Sequence, residues 1–177
     1  MKTDEIRKTH GLLGLGILLA VFLAMMALMR LAASEVGKLS DGQGVIDLTF
    51  GITPNGIVSA LTRYNKQSAE FYRWVFMSVD MVYALAYCSF YRCAIKSVLE
   101  RLGARDRVNT LLPLLPVVGM AADLLENTVM FCILSGCRVW AVFAMFTVFN
   151  IIKFVFVYSS LAIVLGGALC LIKKRLS

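Results

Sequence analysis

Four apolar stretches, separated by short polar ones, constrain this 177-residue chain more than any other feature. A helix needs about 20 consecutive apolar residues to cross a hydrocarbon core of about 30 Å. The stretch from Gly11 to Met29 carries no charged residue and meets that length as far as Ala33. Three more follow, so spans are expected at about residues 11–33, 71–92, 109–134 and 139–172, with an outer loop at 34–70. The expected fold is an all-α membrane protein, a four-transmembrane-helix bundle forming a single membrane domain over residues 1–177. Composition agrees, because 59% of residues are hydrophobic and only 16% charged. Soluble domains run near 45–50% and 25%, so this chain lacks the polar surface that water would demand.

The first stretch could also be a secretion signal, since Lys2, Arg7 and Lys8 precede it and Ala32-Ala33-Ser34 follows. Its apolar part exceeds the roughly 7–15 residues of a signal core, so it reads as a retained helix. Basic residues then set the orientation, because short Lys/Arg-rich loops stay cytoplasmic. Lys2, Arg7 and Lys8, then Arg92, Lys96, Arg101, Arg105 and Arg107, then Lys173, Lys174 and Arg175 all fall on one side of four spans. On the other side Lys38, Arg63, Lys66, Arg73 and Arg138 are diluted by Glu35, Asp41, Asp47 and Glu70. The expected location is the plasma (inner) membrane, multi-pass, with N- and C-termini cytoplasmic. The net charge of +7 is accounted for by headgroups and topology, and no nucleic-acid partner is expected.

Five cysteines and the single His10 show no CxxC pair and no zinc spacing, so neither a metal nor a cofactor is expected. Cys132 and Cys137 flank an outer turn and stay free unless that compartment is oxidising. In the outer loop, Ile46, Leu48 and Phe50 alternate with Asp47 and Thr49, which predicts a short extended stretch. Thr53-Pro54 reads as an N-cap and first helical position, and Ile57, Leu61 and Tyr64 recur at helical spacing. A short amphipathic outer helix is therefore expected between spans 1 and 2.

Asp80, Asp123, Glu126 and Lys153 lie inside the apolar stretches. An ionisable side chain at bilayer depth costs about 2.5–3.5 kcal/mol on insertion scales, so each should face the bundle, water or a partner. Asp123, Glu126 and Asn127 share one helical stripe, as do Asp80, Tyr83 and Tyr87, and as do Asn150 and Lys153. All fall in the outer half or near the midplane, which predicts one polar cluster. One lysine cannot neutralise three carboxylates, so a proton, a cation or a basic ligand group should complete the balance.

The string IDLTFGITPNGIVSALTRYNKQSAEFYRWVFMSVDMVYALAY, followed by LPLLPVVGMAADLLENTVMF, resembles a recurring family of small, uncharacterised four-helix membrane proteins. That family carries an outer D-x-x-F-G-x-[ST]-P segment, an Asp then Tyr on the second span, and a third-span D-L-x-E-N motif. The resemblance covers about Asp47 to Phe131 and implies Asp47, Phe50, Gly51, Pro54, Asp80, Tyr83, Asp123, Glu126 and Asn127 as family positions. Ile52 departs from the pattern where an aromatic is often seen, and Lys66-Gln67-Ser68 replaces a Gly-Arg pair. No activity comes with the resemblance.

The ligand-binding candidates are thus Asp80, Tyr83, Asp123, Glu126, Asn127, Asn150 and Lys153, with Asp47, Phe50 and Pro54 as outer-loop candidates. The leading reading is an acidic site for a lipid headgroup, cation or amphiphilic small molecule, capped by the Pro54 to Tyr64 segment. A non-catalytic membrane subunit or assembly factor, partnered by a second copy or another membrane protein, is the alternative. A membrane-embedded enzyme acting on a lipid or isoprenoid, with Asp123 or Glu126 as acid/base, is a third, and it lacks a nucleophile or metal motif. Four spans without inverted repeats offer little machinery for alternating access.

The charge pattern makes a direct prediction. A Gly42→Cys variant should react with a membrane-impermeant thiol reagent from outside intact cells, and a reporter fused after Ser177 should be active only in the cytoplasm. Labelling of Gly42→Cys solely from the cytoplasmic side would refute this topology.

Overall fold

The computed structural model describes the backbone of residues 2–176 and the side chains of residues 13–174 and 176. The side chains of Lys2, Arg7, Lys8, His10 and Arg175, which enter the charge argument, lie outside the described residues. All regular structure among the described residues is helical. Helix α1 is Lys2–Leu39, α2 is the short Pro54–Leu61, α3 is Lys66–Leu102, α4 is Asp106–Leu134 and α5 is Trp140–Leu176. Within them Leu13–Leu39, Lys66–Leu102, Asp106–Leu134 and Trp140–Lys174 are each long and apolar enough to cross a membrane.

These helices run further than the apolar stretches, because amphipathic turns extend them past the hydrocarbon. Helix α3 starts at Lys66, and it ends at Leu102 rather than about 92. Lys96 and Arg101 therefore lie on its last turns and not in a loop. Its end is a left-handed cap: Gly103 has φ 71°, and the N–H groups of Gly103 and Ala104 donate to Glu100 and Leu99 carbonyls. Glycine accepts that conformation without the Cβ penalty other residues meet. Helix α4 tightens to a 3-10 turn at Leu112–Leu114, where Pro113 is buried and Pro116 follows in the first turn of Leu115–Leu134. Proline lacks the N–H that a regular interior turn would use, so it suits this junction.

The outer loop is folded onto the helix ends. Thr53 caps α2 by accepting from Gly56 N–H at 3.2 Å, with Pro54 next, as its sequence predicts. Asn65 caps α3 by accepting from Ser68 N–H at 2.9 Å, and its amide donates to the Leu39 carbonyl at 2.9 Å, tying α3 to the end of α1. The Tyr64 hydroxyl donates to the Gly44 carbonyl. Residues Ile46–Leu48 form a 3-10 turn instead of the expected extended stretch. The turn points Ile46 and Asp47 inward together, whereas a strand would have placed them on opposite faces.

Two apolar clusters hold the helices together. The outer one joins Val36, Ile57, Tyr72, Phe76, Met130 and Phe146, all close to fully buried. The second centres on Phe22, which stacks on Tyr83 and Phe90 with ring centroids 5.9 and 5.3 Å away. Large apolar residues cover the outward faces, with Leu31 and Leu169 still 69% and 67% exposed. Such continuous apolar surface is what hydrocarbon, and not water, would cover.

Helix α5 packs tightly against α3 at Gly167, where an added Cβ would overlap Val98 Cγ1. Small residues let membrane helices approach in this way. Gly167→Leu should therefore lower stability by about 1–3 kcal/mol through overpacking. Gly166→Leu, whose Cβ meets nothing within 4 Å, should leave it unchanged. Thermal unfolding of both variants in nanodiscs checks this, and equal melting temperatures would contradict the packing.

Candidate functional site

The polar side chains expected to converge do so, at the end of the helices that lies beneath the 34–70 loop. Asp80 comes from α3, Asp123, Glu126 and Asn127 from α4, and Asn150 and Lys153 from α5; none is more than 7% exposed. Spacings of three and four residues put each set on one face of its helix, and antiparallel neighbours bring the faces together.

Lys153 is the centre. Its ammonium lies 2.5 Å from Glu126 Oε2 and 3.4 Å from Asp123 Oδ1, and it donates to the Asp47 backbone carbonyl at 3.1 Å. Among the described residues Lys153 makes no ion pair or hydrogen bond with Asp80. Asp80 instead accepts from the Asn127 amide at 2.8 Å. Asp123 also accepts from the Tyr87 hydroxyl at 3.1 Å. Asn150 is fully used: its amide donates to Glu126 at 2.9 Å and to the Asp47 carbonyl at 3.2 Å, and its oxygen accepts from Gly51 N–H at 2.8 Å. Gly51 has φ +66°, a left-handed conformation that turns the loop back toward α5. One helical turn earlier, Thr147 donates to the Ile52 carbonyl at 2.8 Å.

Asp47 changes the arithmetic of the site. It is 1% exposed and brings a fourth carboxyl into the cluster. Tyr72 donates its hydroxyl to Asp47 Oδ1, and Asp47 N–H donates back to that hydroxyl at 3.2 Å. Asp47 Oδ2, fully enclosed, has no partner. Burial raises the Asp47 carboxyl above its usual pKa, Lys153 and the Tyr72 hydrogen bond pull it down, and Asp123 adds to the rise. Burial and then the Asp47 charge raise the Tyr64 phenol. Four carboxyls thus surround one ammonium, and ionisation of all four would leave three negative charges uncompensated in a dry interior.

Three expected positions lie beside the site. Among the described residues Tyr83 makes no hydrogen bond into the cluster; its ring packs edge-on against Tyr87 at 5.5 Å. Phe50 is 59% exposed and stands T-shaped on Phe154 at 5.5 Å, so it covers α5 from outside. Pro54 starts α2, half-buried, and does not reach the carboxyls. Sequence reasoning kept Asp47 apart from the membrane carboxyls and missed Tyr72. The reason for the latter is a π turn at Tyr72–Phe76. Such a turn takes up one extra residue. On a regular helix Tyr72 would lie about 80° from Asp80, and removing one residue's rotation of about 100° brings it to within about 20°.

No group of three His, Cys, Asp or Glu among the described residues is placed to hold a metal ion. Cys132 and Cys137 are free thiols. Comparison with family models, curated proteins and solved structures gives no match. The positions that carry the D-L-x-E-N resemblance, Asp123, Glu126 and Asn127, meet Asp47 and Asp80 in this single cluster.

Removing one member of a buried ion pair costs about 3–5 kcal/mol, because the partner is left charged and unpaired. Lys153→Met should therefore destabilise the protein by about that much, and the Lys153→Met/Glu126→Gln double variant should recover part of the loss. Unfolding in nanodiscs measures both, and strictly additive losses would exclude the pairing.

Proposed function

We propose that this is a non-enzymatic multi-pass protein of the plasma (inner) membrane that takes up positive charge in a loop-capped acidic cluster on its outer side. The termini are cytoplasmic in this reading, which the distribution of Lys and Arg supports. The observation that carries it is the ratio of four enclosed carboxyls to one ammonium, with Asp47 Oδ2 lacking a partner. A purely packing network would be balanced, since unpaired buried charge is costly. The missing positive charge is best supplied by protons. Enclosure leaves no room for a lipid headgroup while the loop is seated, and the carboxyls do not form a metal set. A small cation or protonated amine would enter when the loop lifts.

The loop couples this to conformation. Asp47, Gly51 and Ile52 are held by Asn150, Lys153 and Thr147 of α5, so binding at the carboxyls bears directly on loop seating. A released loop returns Asp47 to water and to its usual pKa, below the raised value of the seated state. The seated loop then binds more protons between those two values. Seating is favoured fully below the usual carboxyl pKa and loses that contribution as pH rises through the raised one.

A second reading, a non-catalytic subunit or assembly factor, is favoured by one observation: the same network ties the outer loop to α3 and α5 and α4 to α3, which fixes the register of these helices. Two measurements in nanodiscs separate the readings. The protection of residues 45–52 against hydrogen exchange, taken relative to the intrinsic rate at each pH, should fall as pH rises from mildly acidic to alkaline, and Asp47→Asn should flatten that response. Carboxyl infrared bands should titrate over the same range and shift with an added small amine. Protection and bands that ignore pH and amine alike would leave the subunit reading standing.

A further inference from the structure

At the opposite end, where the chain termini lie, α1, α3 and α5 line an open cleft of about 820 Å³. That is within the roughly 300–1,000 Å³ of small-molecule sites. Its walls are apolar, with Leu15, Phe90 and Leu171 from the three helices. Its polar rim is cationic: Arg101 and Lys174 line it, and no acidic residue does among those whose side chains the structure describes. Among the described residues neither cation makes an ion pair.

The sequence explains why the space exists. Gly167 lets α5 close onto Val98 of α3, while Gly16 presents no side chain on the α1 wall. A Cβ at Gly16 would meet nothing within 4 Å. The dimensions are those of a lipid chain. From Phe90 to Arg101 along α3 is about 16 Å at 1.5 Å per residue, close to half of a ~30 Å hydrocarbon core. The apolar walls thus cover one leaflet's depth, and the two cations stand at headgroup level.

We infer that this cleft holds one anionic phospholipid, its acyl chain between α1, α3 and α5 and its phosphate between Arg101 and Lys174. Shape alone would admit any lipid, and two cations with no acidic partner among the described residues select an anionic one. The site is independent of the acidic cluster, and its test does not depend on that cluster's function.

The full-length protein in nanodiscs of phosphatidylcholine, with and without phosphatidylglycerol, provides the test. Native mass spectrometry after extraction should show one retained phosphatidylglycerol, preferred over phosphatidylcholine by about thirtyfold if each cation adds its usual attraction. The melting temperature should rise with phosphatidylglycerol and not with inorganic phosphate. Gly16→Leu, which fills the space, should abolish retention while keeping the melting temperature in phosphatidylcholine alone. Arg101→Gln/Lys174→Gln should retain both lipids equally. Equal retention of the two lipids by the wild type would overturn the proposal. So would full retention by Gly16→Leu, or displacement by inorganic phosphate, each of which would mean a superficial anion site. A shift to dimers in place of lipid retention would assign the cleft to a second copy of the chain, and would overturn it too.

Discussion

The Lys153 ammonium is the interaction on which the rest of the outer half depends. It sits where α4, α5 and the outer loop meet, pairing with Glu126 and Asp123 and donating to the Asp47 carbonyl. A lysine in a dry interior is tolerable only if carboxylates surround it, and buried carboxylates are tolerable only near a cation. The two requirements select one register of α4 against α5. A shift of either helix by one residue would turn these groups toward lipid.

That same centre makes the outer loop part of the fold instead of a linker. Asp47 contributes its backbone to Lys153 and Asn150, its carboxyl to Tyr72, and its neighbour Ile46 to the apolar cluster. The loop seals the site from water, and the low dielectric that results strengthens every charge interaction beneath it. Surplus acidity and enclosure are therefore linked. If the loop opened, water would relax the excess charge; while it is seated, the proposed uptake of protons or a small cation would supply the balance.

The two ends of the molecule are built on opposite logic. At the loop end, polar side chains converge and the loop closes over them. At the terminal end, glycines leave a gap between α1 and the α3/α5 pair, and its rim holds cations and, among the described residues, no acid. In the proposed reading one end takes up small positive species and the other holds a negative amphiphile.

Much of this was legible in the sequence. Apolar length alone determines that four helices can cross a membrane, because backbone groups in hydrocarbon must be satisfied within each segment. Intramembrane Asp80, Asp123, Glu126 and Lys153 had to turn inward, and helical spacing put Asn127 and Asn150 with them. The Thr53-Pro54 cap was equally local. Asp47, Tyr72 and the idle position of Phe50 were not legible, because they depend on contacts between segments far apart in the chain. A 3-10 turn took the place of an extended stretch, which turned Asp47 inward, and a π turn moved Tyr72 onto the face of Asp80. The cleft at the terminal end is likewise a product of how three helices splay. Periodicity records which faces of a helix avoid lipid; only packing decides what those faces meet.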